Sequence, residues 1–298
     1  MLEIHPCVAA ALREGRPVVA LESTLIAHGL PSPLNLETAL LADRMVHDEG
    51  AVPATVGVFE GVPTVGLTGA QLAQFAAGTG VHKASRRDLA AAVALRQTAA
   101  TTVAATMALA HQAGIRIFAT GGIGGVHRGA GWDISADLFE LARTPVAVVC
   151  AGAKSILDLR RTLELLETLG VPVVGYGTDE FPAFYVRNSG EPVSARVDTP
   201  EAAAALLTAH WQLGGAGVVL AQPLVAEAAL APVEFATALR RAEELAREAD
   251  VRGKDLTPFL LARLGELTAG RTVQANQALI LANARLAARV ALAAKAVT

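Results

Sequence analysis

Two cysteines, Cys7 and Cys150, are all that 298 residues contain. That is too few for a disulfide framework or a four-ligand zinc site. A basic excess is missing as well. The 25 Lys and Arg stand against 28 Asp and Glu, a formal charge of −3, which argues against a general nucleic-acid binder. No uninterrupted apolar stretch reaches the length of about 18 residues that a membrane span needs. The N-terminus, MLEIHPCVAAALREG, carries an acid at position 3 and no basic stretch ahead of a long apolar one, so it does not read as a secretory signal. Internal repeats and low-complexity tails are lacking too. What is present is apolar content, 52% of the chain with a mean hydropathy of +0.42. Disorder is thereby excluded, and the expected setting is a soluble, cytoplasmic protein.

Short Val/Ile-rich runs alternate with longer Ala/Leu-rich runs of helical period. Pro17–Leu21, Ile115–Ala119, Val146–Cys150, Val171–Val174 and Gly217–Ala221 read as strands covered on both faces. Helices are expected over Asn35–Glu49, Thr101–Ala113, Lys154–Leu169 and Thr199–Leu213. Each is followed by a glycine (Gly50, Gly114, Gly170, Gly214) placed to end it. From Val233 the pattern is almost entirely helical, with breaks at Gly253, Lys254 and Gly270. The alternation predicts a three-layer α/β/α body with a mainly parallel sheet and a helical C-terminal layer, one domain over residues 1–298.

Ligands of such sheets bind beyond the carboxyl ends of the strands, so polar residues where an apolar run stops are the informative ones. Glu22, in ALESTLIAHG, is either a general acid or base with a pKa raised by burial, or a solvated residue before a cap by Ser23 or Thr24. In HKASRRD, the cations around Lys83 either bind a phosphate at a helix start or form a solvated turn paired to Asp88. The glycine-rich ATGGIGGVHRG fits neither a dinucleotide fingerprint nor a P-loop, but its amides could approach an anion. Asp133 and Asp137 follow it at helical i, i+4 spacing with Ser135 between them, a pattern suited to Mg²⁺ or Mn²⁺ or to an ordinary acidic first turn. Lys154, in VVCAGAKS, either attacks carbon as a partly buried amine or reaches solvent from a first helical turn. Cys150 reads as a buried strand residue.

These segments together resemble a known family. ALESTLIAHGLP (20–31), HKASRRDLA (82–90), TTVAATMALA (101–110), ATGGIGGVHRG (119–129), DISADL (133–138), CAGAKSILDL (150–159), PVVGYGTDEFPAFY (172–185), GKDLTPFLL (253–261) and QANQALILANARLAARVA (274–291) are similar, in the same order, to the pseudouridine-5′-phosphate glycosidases, the indigoidine synthase A-like family. The resemblance runs from about Pro17 to Ala291. It implies reversible cleavage of the C–C glycosidic bond of pseudouridine 5′-phosphate to uracil and ribose 5-phosphate, a lyase-class reaction with Mn²⁺ or a similar divalent ion. It also implies a homotrimer whose partner is a small nucleotide, not a nucleic acid or a membrane. Carried over by motif, Lys154 is the nucleophile and Glu22 the proton donor. Lys83 and Val103 lie at the phosphate end, Ser135, Ala136 and Asp137 line the substrate, and Asp133 holds the metal. Asn276 matches an asparagine near the base, with Asn283 close by as a rival. One departure is Ala221-Gln222-Pro223-Leu224, where the family reads Asn-Pro-Ile-Pro. A Schiff-base aldolase and a catalytically silent binding protein remain open as alternatives.

Overall fold

The computed structural model describes residues 2–129, 131–251, 253 and 256–297; Lys254, one of the expected helix breaks, lies outside the described residues. In chain order the strands are β1 (Glu3–Ile4), β2 (Val18–Glu22), β3 (Val52–Phe59), β4 (Val62–Val65), β5 (Val81–Ala84), β6 (Thr98–Thr101), β7 (Ile117–Ala119), β8 (Val126–His127), β9 (Ala147–Cys150), β10 (Leu157–Asp158), β11 (Val173–Tyr176), β12 (Ala195–Val197) and β13 (Val218–Ala221). The helices are α1 (Pro6–Arg13), α2 (Leu34–Asp48), α3 (Gly69–Ala77), α4 (Leu89–Ala94), α5 (Val103–Gln112), α6 (Ala136–Leu141), α7 (Leu159–Thr168), α8 (Pro200–Gln212), α9 (Pro232–Glu248), α10 (Leu256–Leu267) and α11 (Arg271–Val297).

All five expected strands form. β2 (VVALE), β9 (AVVC) and β13 (VVLA) are buried at every position, as continuous apolar strands must be when helices cover both faces of a sheet. The main path runs β1-β4-β3-β2-β7-β9-β13-β11-β12. Every pair in it is parallel except β3 with β4, and β6 adds a second antiparallel contact to β3. α11 lies on β7, β2 and β9 between α2 and α8, while α5, with α6 beside it, packs on β2 and β3. The three layers expected from the alternation are therefore present, and the C-terminal helices supply one of them. By length and composition alone Arg271–Lys295 could cross a membrane, but half of that window is buried within the fold.

Two features depart from the sequence reading. The helix expected from Lys154 begins only at Leu159, capped by the Asp158 side chain on the Arg161 amide. The preceding residues make a turn and β10, which pairs antiparallel with β8. The antiparallel edge formed by β3, β4 and β6 is the second departure. β3 carries Pro53 and Gly57 and β4 carries Pro63, which hide a strand pattern.

Chain order fixes where a site can form. β2 leads through α2 to β3 on one side, whereas β7 leads to β9 on the other. Between β2 and β7 the winding reverses, and at such a switch point the loops diverge and leave a crevice at the carboxyl ends.

Candidate active site

Above that switch point the ends of β2, β7 and β9 deliver Glu22, Thr120 and the Ala151–Lys154 turn to one place. Glu22 and Lys154 reach the floor of a chamber of about 710 Å³, within the range of ligand pockets. Glu22, Lys83, Val103, Asp133, Lys154 and Asn276 all line it, as do Ser135, Ala136 and Asp137. Every residue singled out by motif is thus gathered at one site, from segments up to 254 positions apart.

Glu22 is only 7% exposed. Its Oε1 accepts a hydrogen bond from the Thr120 hydroxyl at 2.8 Å. Burial pushes its carboxyl up to about 7, against the pull of Lys154, the Thr120 hydrogen bond and Lys83, with Asp137 adding to the rise. A carboxyl of this kind exchanges a proton near neutral pH. The solvated-cap reading fails. Ser23 donates to the Val56 carbonyl (2.6 Å) and accepts from the Thr101 amide (2.9 Å), so it ties β2 and β3 to β6. Thr24 makes no capping bond to the π-helical turn Leu25–Gly29 that follows.

Lys154 is half-buried, and its Nζ donates to the Gly122 carbonyl at 3.1 Å. It stands in a turn, not on a helix. Its amide donates to the Ile123 carbonyl (3.0 Å), which joins the loop after β9 to the loop after β7. Gly152 makes this turn possible: its φ is +85°, and a Cβ there would lie 2.0 Å from the Pro182 carbonyl oxygen, a contact that no side chain tolerates. Phe184, itself at φ +61°, lies against Gly122 in the same wall. Cys150, two residues below the turn, is fully buried and its thiol is pushed up to about 12 by burial. It is a packing residue, as the sequence suggested.

The glycine-rich loop lines the chamber through Gly121, Gly122 and Gly124. Its amides are used within the protein: Ile123 donates to the Gly152 carbonyl (3.0 Å), Gly124 to Asp137 Oδ2 (2.9 Å) and Val126 to the Thr162 hydroxyl (2.9 Å). The anion it holds is a side chain of this chain. Glycine is required at 124 because a Cβ would come within 2.2 Å of the Ser135 hydroxyl. The expected pairing of Asp133 with Asp137 on one helix face fails. α6 starts at Ala136, capped by Ser135, so Asp133 precedes it. Asp137 is buried and spends Oδ1 on the Ala104 amide (2.9 Å) and Oδ2 on Gly124, which anchors the start of α5 to the loop. Asp133 is exposed at the chamber wall. Among the described residues no group of three or more His, Cys, Asp and Glu converges as a ready-made metal cage.

The basic segment divides in two. Lys83 lies on β5, where its strand position faces Ala100 of β6, and lines the chamber near the start of α5. Arg87 is exposed beside Asp88 (3.4 Å), and Arg86 donates to Glu140 at 2.9 Å. Glu140, on α6, is completely buried; it also accepts from Arg143 Nε (2.9 Å) and Nη2 and from the Thr144 hydroxyl (2.6 Å). Both arginines line the chamber. The rivalry of the asparagines is resolved: Asn276 lines the chamber, whereas Asn283 is buried beneath it and donates to the carbonyls of Thr120 (2.8 Å) and Gly121 (3.3 Å). Ala221, Gln222, Pro223 and Leu224 do not line the chamber; Gln222 is tied to the Cys150 carbonyl and Leu224 accepts from Arg187.

Sequence reasoning missed Thr120, which bonds to Glu22 without lining the chamber, and His127, Arg143 and Phe184, which do line it. The first, second and fourth sat inside segments already singled out, but a hydroxyl, a histidine or a phenylalanine is too common to mark itself. His127 is held below the usual imidazole range by burial, opposed by Asp133. Arg143 lines the chamber while its guanidinium is bonded to Glu140, three residues earlier.

Comparison with known proteins agrees with this arrangement. The family model described as indigoidine synthase A-like protein matches residues 7–293. The pseudouridine-5′-phosphate glycosidase of Roseiflexus sp. is 57% identical over 96% of this chain and 93% of its own length. That of Herpetosiphon aurantiacus is 55% identical, covering 98% and 97%. Among solved structures, the prealnumycin C-glycosynthase AlnA, in complex with ribulose 5-phosphate, superposes with a TM-score of 0.92 at 42% identity over 100% of this chain and 98% of its own. An indigoidine synthase A-like protein of Thermotoga maritima gives 0.91 at 34% identity, covering 99% and 97%.

Proposed function

The chain belongs to the indigoidine synthase A-like family, and we propose that it cleaves pseudouridine 5′-phosphate reversibly to uracil and ribose 5-phosphate through an imine on Lys154. The observation that carries this reading is one floor holding an amine, Lys154, and a carboxyl that exchanges its proton near neutral pH, Glu22. Most glycosidases use two carboxylates around a leaving oxygen, but a carbon-linked base offers no such oxygen. Glu22 protonates the ribose ring oxygen. The C1′–O4′ bond breaks with its electron pair on oxygen, and C1′ is left conjugated with the pyrimidine. The Lys154 amine adds at C1′. Once C5 of the base is protonated, the nitrogen lone pair forms the C=N bond as the C1′–C5 bond breaks, and uracil leaves. Water hydrolyses the imine, which frees ribose 5-phosphate and the lysine.

Lys83 and the first turn of α5 at Val103 suit the phosphate end, and Asn276 suits the base. Asp133 fits a divalent cation such as Mn²⁺ that keeps most of its waters, because among the described residues lining the chamber it is the exposed carboxylate, Asp137 being engaged with backbone amides. Such an ion would neutralise phosphate charge. A homotrimer working in the cytoplasm belongs to the same reading. The test is direct: incubation with pseudouridine 5′-phosphate is expected to release uracil and ribose phosphate in equal amounts. Cleavage of deoxyribose 5-phosphate with no uracil release would make the chain an aldolase instead.

A further inference from the structure

Thr120 is the first residue beyond β7, and its backbone is held on both sides. Its amide donates to the Val149 carbonyl of β9 at 3.0 Å. Its carbonyl accepts from the Asn283 amide of α11 at 2.8 Å. With the main chain fixed by a sheet neighbour and a helix, the side chain has one place to go, and its hydroxyl donates to Glu22 Oε1 at 2.8 Å. Both side chains are buried, so water does not compete for the bond. We propose that Thr120, held by Asn283, is a positioning residue that assigns the transferable proton of Glu22 to a single oxygen. With Oε1 accepting the hydroxyl hydrogen, Oε2 is left to carry the proton. This deepens the reading of Glu22 as proton donor and rests on it.

A hydroxyl that donates to a carboxylate stabilises the charged form, so the bond tempers the rise that burial imposes on Glu22. The charged groups facing Glu22 are Lys154 from the turn after β9, Lys83 from β5 and Asp137 from α6. None of them changes when the hydroxyl is removed. Thr120→Val keeps the shape and deletes the donor; Thr120→Ser restores it. The Glu22 carboxyl is followed by its infrared C=O band, identified by its loss in Glu22→Gln, alongside the pH profile of kcat for pseudouridine 5′-phosphate.

Thr120→Val is expected to move the titration of that band upward by roughly 1–2 pH units, the value of a hydrogen bond to a charged group. It should lower kcat about tenfold with KM little changed, and Thr120→Ser should recover both. If Val does not fold, Thr120→Ala gives the same readout. Titration of Glu22 at the wild-type pH in Thr120→Val, with kcat intact, would overturn the inference. Normal turnover by Glu22→Gln would instead overturn the proton-donor reading beneath it, and the infrared shift would still report on Thr120.

Discussion

The floor of the chamber and its rim treat a buried carboxyl in opposite ways. On the floor, at the end of β2, Glu22 accepts a hydrogen bond from a neutral hydroxyl, and among the described residues no cation is bonded to it, so burial dominates and the group holds its proton near neutrality. On the rim, α6 carries two acids that are fully satisfied. Asp137 takes two backbone amides, and Glu140 takes two guanidiniums and a hydroxyl. The rim pairs its buried acids fully, whereas burial leaves the floor carboxyl holding its proton near neutrality. Asp43 on α2 shows that burial alone does not make a catalytic group. It too is pushed up to about 6 by burial, with Thr55 as its hydrogen-bond partner, but it does not line the chamber. What marks Glu22 is a proton near neutrality combined with an amine facing it.

The comparison breaks most sharply at Lys154. Lys154→Ala is expected to leave a folded protein, judged by circular dichroism and melting, with uracil release down by several orders of magnitude. Near-normal turnover would remove the amine from the mechanism. Glu22→Gln comes next, with kcat down by about 10²–10⁴-fold. The same variant separates floor from rim through stability. The folded pKa of Glu22, about 7, lies above its unfolded value of 4.5, so its contribution is fully present below pH 4.5 and is lost as pH rises through 7. Glu22→Gln should therefore match wild type near pH 4.5 and exceed it by about 3 kcal/mol above pH 8 in denaturant melts. Glu140→Gln should do the reverse: a loss of about 1–3 kcal/mol as the arginines and Thr144 lose their acceptor, with turnover changed far less than by Glu22→Gln. Chelation by EDTA should slow the reaction and Mn²⁺ restore it, an effect missing in Asp133→Ala. The smallest effect concerns the cysteines. Iodoacetamide applied to the native protein should label exposed Cys7 and spare Cys150.

How much of this was legible in the sequence follows from how local each signal is. Continuous apolar runs bounded by glycine, proline or polar residues announced β2, β7, β9, β11 and β13, because burial on both faces leaves no polar alternation to confuse the pattern. The β3–β4–β6 edge was hidden, since its pairing is antiparallel and its sequence carries proline and glycine. Lys154 and Glu22 could be found because a charged residue directly after a buried strand is costly unless used. One error came from spacing alone: Asp133 and Asp137 were placed on one helix face, because spacing cannot show that the helix begins only at Ala136. Arg143 was not singled out because an arginine three residues after a glutamate is common, and nothing in the sequence shows that this Glu140 is buried.

The central claim is a covalent bond between the Lys154 amine and the sugar's C1 carbon. Treating the protein with ribose 5-phosphate and sodium borohydride, followed by digestion and peptide mass spectrometry, tests it most directly. The account predicts a reduced sugar phosphate adduct on Lys154, absent from Lys83 and from the Lys154→Ala protein. An unmodified Lys154 in an enzyme that still releases uracil would contradict it.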